Sequence, residues 1–259
     1  MRFASLGSGS AGNATIVQVN NSRLILDCGF SVRELILRLQ KLSVEPHQLS
    51  GIVVTHEHDD HARGAFKFAS KFNIPVWLSY GTFKMCERYL PETHAITINI
   101  IDSHTCFSVD DIQVSPFPVP HDAREPTQFT FSDGQSKLGI LTDVGCSTPH
   151  IERVLSGCDA LMLECNHDLT MLEKGPYAKP LKDRVGGRLG HLDNQTAAAL
   201  LAKLDNSKLK HIVAAHLSAK NNTPELAKLA LSQILNTDTD WVGIADQETG
   251  FDWRSCQAA

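Results

Sequence analysis

A chain of 259 residues, 42% hydrophobic and 20% charged, has the composition of a globular protein, long enough for one large buried core or two small ones. It has no apolar run of the roughly 18–20 residues that a helical membrane span needs. Its net charge of −5 argues against a surface built to coat nucleic acid and leaves room only for positive charge focused at one groove. The cysteines number seven, are scattered, and form no Cys-x-x-Cys pair, so a disulfide framework is not expected and a reducing cytoplasm is the predicted compartment. Residues 1–7 are too poor in apolar side chains for a signal peptide and turn glycine-rich at once. No tandem repeat or Pro/Ser-rich linker divides the sequence, so 1–259 is read as a single domain.

In chain order, strands extend to about Leu26. Within them Gly7-Ser8-Gly9-Ser10-Ala11-Gly12 matches Gly-x-Gly-x-x-Gly, with Asp27 at about 20 residues from the first glycine. That fingerprint also requires a helix straight after the glycines, whose N-terminus holds a pyrophosphate. Here the β-branched Thr15-Ile16-Val17-Gln18-Val19 follows, so the loop reads as a hairpin turn and a nicotinamide site is rejected. Backbone amides of the loop meeting a substrate phosphate remain a weaker reading. A helix is predicted over 31–41, capped by Ser31 with Glu34 three residues on. Gly51-Ile52-Val53-Val54 is a short buried strand. The next helix, 64–72, stops before Asn73-Ile74-Pro75. Segments 96–101, 105–109, 112–117, 129–131, 137–142 and 211–215 read as extended. Helices are predicted over 196–204 and over 224–235, the latter with Thr223 as N-cap and Pro224 at its first position. Strands and helices mixed in both halves make this an α/β protein.

The chemistry concentrates directly after the strand at 51–54, in Thr55-His56-Glu57-His58-Asp59-Asp60-His61. Imidazole and carboxylate are the ligands of hard and borderline divalent metals. His56, His58, Asp60 and His61 are four donors, more than one open catalytic metal normally uses, which points to two metals side by side. Histidines on a solvated loop are the plainer reading, but four donors in this order after a strand make it a poor one. Further ligands are then needed from other strand ends. Asp27, His121, Asp143 and His216 each follow an apolar extended run and meet that need. Cys28, Cys146 and Cys165 lie near these segments and read as small buried residues.

This order and spacing resemble the metallo-β-lactamase fold superfamily of dinuclear hydrolases, over essentially the whole chain. The resemblance implies a four-layer αβ/βα sandwich, two sheets face to face with helices outside. It also implies that His56, His58 and His121 hold one divalent ion, that Asp60, His61 and His216 hold the other, and that Asp143 bridges them. Asp27 is placed behind the ligands, orienting one of them. A hydroxide shared by the two ions would be the nucleophile. The zinc β-lactamases proper often depart from this set at the last motif position, whereas His61 matches the phosphodiesterase and thioesterase branches. The oxygen-reducing diiron branch has a glutamate where this chain has His58, and is disfavoured.

In the second half, Glu164-Cys165-Asn166-His167-Asp168 follows a strand and Gly190-His191-Leu192 precedes a helix. These resemble the nuclease branch, in which a Glu and a Gly-His segment help move a proton to the leaving oxygen. An alkoxide leaves poorly unless protonated, so His191, tuned by Glu164, is the expected general acid, and Asp60, Glu164 and His191 are the residues on which turnover should depend. For His191 a helix-capping or core role is the alternative. His167 is placed behind the ligands, with a hydrogen-bonded loop histidine as an equal alternative. The narrower resemblance is to the bacterial YycJ/WalJ-like group, associated with 5′→3′ exonuclease activity on DNA. It is carried by the glycine loop with Asn13, His121-Asp122-Ala123, the 164–168 segment, Gly175-Pro176-Tyr177, Leu181-Lys182-Asp183-Arg184 and His216-Leu217-Ser218 with Asn221-Asn222. Lys174, Lys179, Lys182, Arg184 and Arg188 form a basic cluster that could meet a phosphate backbone, or be a solvated loop. The reading is a phosphodiesterase or nuclease with two divalent ions (Zn, Mn or Fe) and no membrane partner. The alternative is a hydrolase of small esters, thioesters or cyclic phosphodiesters on the same scaffold.

Overall fold

In the computed structural model, which describes residues 1–92 and 96–257, the extended runs assemble into two sheets of seven strands. The first half of the chain supplies β1 (Arg2–Gly7), β2 (Ala14–Val19), β3 (Ser22–Leu26), β4 (Gly51–Val53), β5 (Val76–Ser79) and β6 (Ile98–Ile101). The second supplies β7 (Phe107–Val109), β8 (Ile112–Pro118), β9 (Thr127–Ser132), β10 (Lys137–Leu141), β11 (Ala160–Glu164), β12 (His211–Ala215) and β13 (Val242–Ile244). The last strand, β14 (Phe251–Ser255), returns to the first sheet, whose order is β14-β1-β2-β3-β4-β5-β6, while the other runs β13-β12-β11-β10-β9-β8-β7.

Connection length decides direction within each sheet. A six-residue loop joins β1 to β2, and two-residue turns join β2 to β3 and β7 to β8, with Asn20 (φ 51°) and Asp110 (φ 50°) taking the left-handed turn positions; all three pairs are antiparallel. The glycine loop is the β1–β2 hairpin connection, as its β-branched sequel implies. Where a helix intervenes, neighbours are parallel: β3 with β4, β4 with β5, β5 with β6, and β10 with β11, β12 and β13 in turn. The helices are α1 (Val32–Lys41), α2 (Asp59–Ala62), α3 (Ala65–Phe72), α4 (Tyr80–Cys86), α5 (Pro149–Leu155), α6 (Leu169–Lys174), α7 (Lys179–Val185), α8 (Asn194–Lys203) and α9 (Pro224–Leu235).

Strands buried on both faces read as unbroken apolar runs, and alternate residues then serve two cores. Val17, Leu24, Leu26 and Val53 face Val114, Phe129, Phe131, Leu138, Ile140 and Val213 between the sheets. Their neighbours Ile16, Ile25 and Ile52 point the other way, under Leu35 and Leu39 of α1 and Phe66 and Phe68 of α3. Ile212, Ala214 and Leu163 likewise pack under Ile151 of α5, Leu200 and Leu201 of α8, and Leu231 of α9. The result is the four-layer αβ/βα sandwich. Each fully buried Phe or Leu contributes about 1.5–3 kcal/mol, enough in sum to hold both sheets as rigid platforms.

Helix ends follow local chemistry. The Ser31 hydroxyl accepts from the Glu34 N–H at 3.2 Å, and Asn73 (φ 55°) stops α3 where it was expected. Thr223 accepts from the Leu226 N–H at 3.3 Å, so α9 spans the predicted residues. Helix α8 starts two residues before the predicted 196, because the Asp193 carboxylate accepts from the Gln195 and Thr196 N–H groups at 2.8 and 3.0 Å. Short helices α2 and α4 to α7 and strands β5, β13 and β14 had no expectation attached. The basic cluster lies on α6 (Lys174), on α7 (Lys179, Lys182 and Arg184) and in the turn after α7 (Arg188), not on a plain loop.

Candidate metal centre

The C-terminal ends of strands from both sheets converge on one cleft of about 410 Å³. Asp27 follows β3, the 56–61 motif follows β4, His121 follows β8, Asp143 follows β10, Glu164 ends β11 and His216 follows β12. Asp27, Asp143 and His216 have left-handed backbones, with φ of 61°, 54° and 55°. Such a conformation costs a non-glycine residue about 1–2 kcal/mol and persists only where surroundings enforce it. They do so here: the Asp143 N–H donates to Glu164 Oε1 at 3.0 Å, the His216 N–H to Ser8 Oγ at 3.0 Å, and the Asp27 N–H to the Val53 carbonyl at 2.8 Å. The turn aims Asp143 and His216 off their strand ends into the cleft and sets the Asp27 carboxylate behind His61 and Thr55. Gly29 lets the motif approach, since a Cβ there would lie 1.8 Å from the Asp60 carbonyl oxygen.

Two triads of ligand atoms result. In one, His56 Nε2 is 3.0 Å and His121 Nε2 is 3.3 Å from His58 Nδ1. In the other, Asp60 Oδ2 lies 3.4 Å from both His61 Nε2 and His216 Nε2. Asp143 sits between them: Oδ2 is 3.0 Å from His61 Nε2, and Oδ1 is 3.6 Å from His216 Nε2 and 3.9 Å from His121 Nε2. A tetrahedral ion with bonds of about 2.0–2.1 Å sets its ligand atoms roughly 3.3–3.4 Å apart, so these spacings fit a shared cation in each triad. Asp143 Oδ2 is also buried with no aligned hydrogen-bond donor, an orphan that a cation would satisfy.

Behind the ligand atoms, the other ring nitrogens are held. His56 Nδ1 donates to Thr55 Oγ1 (2.9 Å), whose hydroxyl proton is directed to Asp27 (3.0 Å). His61 Nδ1 donates to Asp27 Oδ2 (2.8 Å), His121 Nδ1 to the Gly190 carbonyl (3.1 Å) and His216 Nδ1 to Glu164 Oε1 (3.2 Å). Such partners fix the tautomer that leaves the ligand nitrogen unprotonated. Glu164, fully buried, also accepts from the N–H groups of Asp143, Val144 and Leu192 and from His191 Nδ1 at 2.9 Å.

Charge follows position. Burial opposes the imidazolium of His61, but the carboxylates of Asp143, Asp60 and Asp27 outweigh it and hold its pKa well above the ordinary value. His216, also opposed by burial, is raised to about 10 by Asp143, Asp60 and Glu164. Burial and then the neighbouring His61 push His56 well below its usual range. Protons and divalent ions therefore compete for the lone pairs of His61 and His216. Metal affinity, read by competition with a chromogenic chelator, is expected to fall as pH drops from about 9 toward 6, by up to about tenfold per unit for each proton displaced. A flat profile over that window would show that these two nitrogens do not bind the ion.

Not every predicted residue joins this centre. His191 does, its ring lining the cleft and its pKa raised because Glu164 and Asp143 outweigh burial. His167 does not: Nδ1 is 3.3 Å from Asn166 Oδ1, Nε2 is buried without a partner, and the ring lies beside Gly186 at the end of α7. Of the basic cluster only Arg184 lines the cleft, while Lys179 is paired with Asp183 at 2.7 Å and Lys182 reaches the Glu173 carbonyl. Lys174 and Arg188 are exposed outside it. Cys28 and Cys165 are fully buried and burial raises both thiols, whereas Cys146 is only half-buried.

Several residues at the centre had been given no role, and Arg88 was not named at all. Asn13 donates its side-chain amide to the Asp60 carbonyl (3.3 Å) and its own Oδ1 accepts from Gly9 N–H (2.9 Å) and Ser8 Oγ (3.1 Å), so the glycine hairpin braces the centre. Asp122, Arg88, Tyr177, Asn166 and Ser218 line the cleft. Asp122 had a signal in standing next to His121; Arg88 had none.

The family model described as beta-lactamase superfamily domain matches residues 22–216. The chain belongs to the metallo-β-lactamase fold superfamily. Exodeoxyribonuclease YycJ of Bacillus anthracis is 34% identical over 248 residues, covering 95% of this chain and 93% of the relative. Exodeoxyribonuclease WalJ of Streptococcus pneumoniae is 30% identical over 240 residues, 92% and 89% of the two chains. These matches place the chain in the YycJ/WalJ group of the superfamily and make it a metallo-β-lactamase fold hydrolase whose relatives are named exodeoxyribonucleases. Among solved structures, the metallo-β-lactamase fold protein YhfI of Bacillus subtilis superposes with a TM-score of 0.75 over 98% of each chain at 15% identity, a likeness of fold.

Proposed function

We propose that this metallo-β-lactamase fold enzyme is a two-metal phosphodiesterase that shortens DNA in the 5′→3′ direction, with residues 1–259 acting as one hydrolase domain. The observation that carries the reading is the His191–Glu164 dyad at the cleft wall, 3.6 Å from Asp143 Oδ1 and so beside both ligand triads. Two divalent ions held there would lower the pKa of a water between them and offset charge on a phosphodiester. His56, His58 and His121 would hold one ion and Asp60, His61 and His216 the other, with Asp143 between the two triads. Asp27 and Thr55 keep the rings of His56 and His61 aimed at the centre. His191, anchored through Nδ1, presents its outer edge to the cleft and protonates the departing sugar oxygen. Zn, Mn or Fe suits a donor set of imidazole and carboxylate without thiolate. All seven cysteines are unpaired, which is the state a reducing cytoplasm maintains. No helix among the described residues is long and apolar enough to cross a membrane.

A second reading, hydrolysis of a small ester, thioester or cyclic phosphodiester, is supported by one observation. The cleft carries only two arginines, Arg88 and Arg184, and each is paired with an aspartate, Asp59 and Asp122. End-labelled single- and double-stranded DNA and RNA, assayed beside a thioester and a lactone in Mn and in Zn, separate the two. Ladder-free release of mononucleotides from 5′-labelled DNA is the expected result, and turnover of the thioester alone would remove the nuclease reading.

His191→Ala is expected to slow polynucleotide cleavage by about 10²–10⁴-fold while slowing bis-p-nitrophenyl phosphate far less, because nitrophenolate leaves without a proton. Equal loss on both substrates would assign His191 to shaping the cleft.

A further inference from the structure

One ligand histidine differs from the other four. His56, His61, His121 and His216 each close a hydrogen bond from the nitrogen facing away from the centre, at 2.8 to 3.2 Å. His58 turns Nδ1 inward, and its outer nitrogen, Nε2, faces Asp122 Oδ1 across 3.9 Å, too far for a hydrogen bond. The same carboxylate is held on its other oxygen by Arg184, whose Nε donates to Asp122 Oδ2 at 2.6 Å, while Oδ1 also lies 3.4 Å from His121 Nε2. Its backbone is fixed, since the Asp122 N–H donates to the Leu189 carbonyl at 3.0 Å, so only the carboxyl group can choose between partners. Arg184 stands on α7, the element carrying Lys179 and Lys182, and its side chain is 61% exposed at the cleft.

We propose that Asp122 is a positioning residue for His58 and that Arg184 controls how fully it engages. With Arg184 on Asp122, the His58 ring lacks its outer acceptor. When a phosphate group of the substrate takes the guanidinium, Asp122 is released to accept from His58 Nε2–H. That bond orients the ring and strengthens Nδ1 as a donor toward the ion, as outer acceptors do for ligating histidines. Occupancy of α7 by phosphate and occupancy of the centre by metal then favour each other, and by linkage the effect is reciprocal. The positioning role is argued from Asp122 facing His58 Nε2 and pairing with Arg184; the phosphate step rests on the nuclease reading.

Affinity for Zn, measured by chelator competition on the purified full chain, tests this without using activity. Asp122→Ala is expected to weaken binding about tenfold, Asp122→Asn by less, because the amide oxygen still accepts. Arg184→Gln is expected to act in the opposite direction, tightening binding a few-fold. The double variant should bind like Asp122→Ala alone, since Arg184 acts through Asp122. Wild-type affinity in Asp122→Ala, with a melting temperature showing it folded, would overturn the proposal. So would an Arg184→Gln gain that persists in the double variant, which would be simple charge removal near a cation. A hydrolysis-resistant phosphorothioate DNA strand should tighten Zn binding in the wild type and add nothing in Arg184→Gln. If the variants behave as stated and the strand has no effect, Asp122 keeps its role and the nucleic-acid reading is what fails.

Discussion

Asp143→Asn is expected to reduce phosphodiester turnover by at least about 10³-fold and to release bound metal, with little change in fold. Asparagine tolerates the left-handed backbone at this position, and the Asp143 N–H still reaches Glu164, so the turn survives the exchange. What disappears is the one negative charge within 4 Å of ligand nitrogens in both triads, those of His61, His216 and His121. The amide that replaces it has a single acceptor oxygen and cannot serve two cations. Metal content by elemental analysis and hydrolysis of bis-p-nitrophenyl phosphate should fall together. A variant that keeps two ions and near-normal rates would show that Asp143 does not join the sites.

The second large effect is on stability. Glu164→Ala removes the acceptor for three backbone N–H groups and two imidazoles at once, in a position with no exposure to water. Breaking a buried charged network by removing one member costs about 3–5 kcal/mol. For a chain of this size that is a fall in Tm on the order of 10 °C, and it should appear in chelator-treated protein as well as in loaded protein. Glu164→Gln should be milder but still damaging, since its amide N–H groups face other donors. A Glu164→Ala protein that melts with the wild type would mean that water or a side-chain shift replaces the carboxylate. Turnover should drop in either variant, because His191 and His216 both lose the anchor that orients them.

The candidate ligand set was legible because it is local chemistry repeated at strand ends. The His56-to-His61 motif falls in six residues, and Asp27, His121, Asp143 and His216 each follow an apolar run, a pattern visible without coordinates. Elements with strong end signals were equally readable, such as α9 between Thr223 and Asn236. Other features had no local mark. The 31 residues separating Glu57 from Arg88 do not show that the arginine reaches back to the Glu57 carbonyl and Asp59. The basic cluster looked uniform along the chain, yet the helical turn of α7 sends Arg184 into the cleft and Lys179 and Lys182 away from it. His167 resembled a site residue by its neighbours Glu164 and Asn166, and the fold turns its ring toward Gly186 instead.

By itself, then, the sequence determined which side chains can bind a cation and that several strands must deliver them, since donor chemistry and apolar alternation are properties of short segments. Only the tertiary structure decided which nitrogen of each ring faces inward, which acceptor stands behind it, and that His58 Nε2 stands 3.9 Å from an Asp122 carboxylate that Arg184 holds. Those choices depend on atoms brought together from both sheets within 3 to 4 Å, and sequence distance carries no record of them.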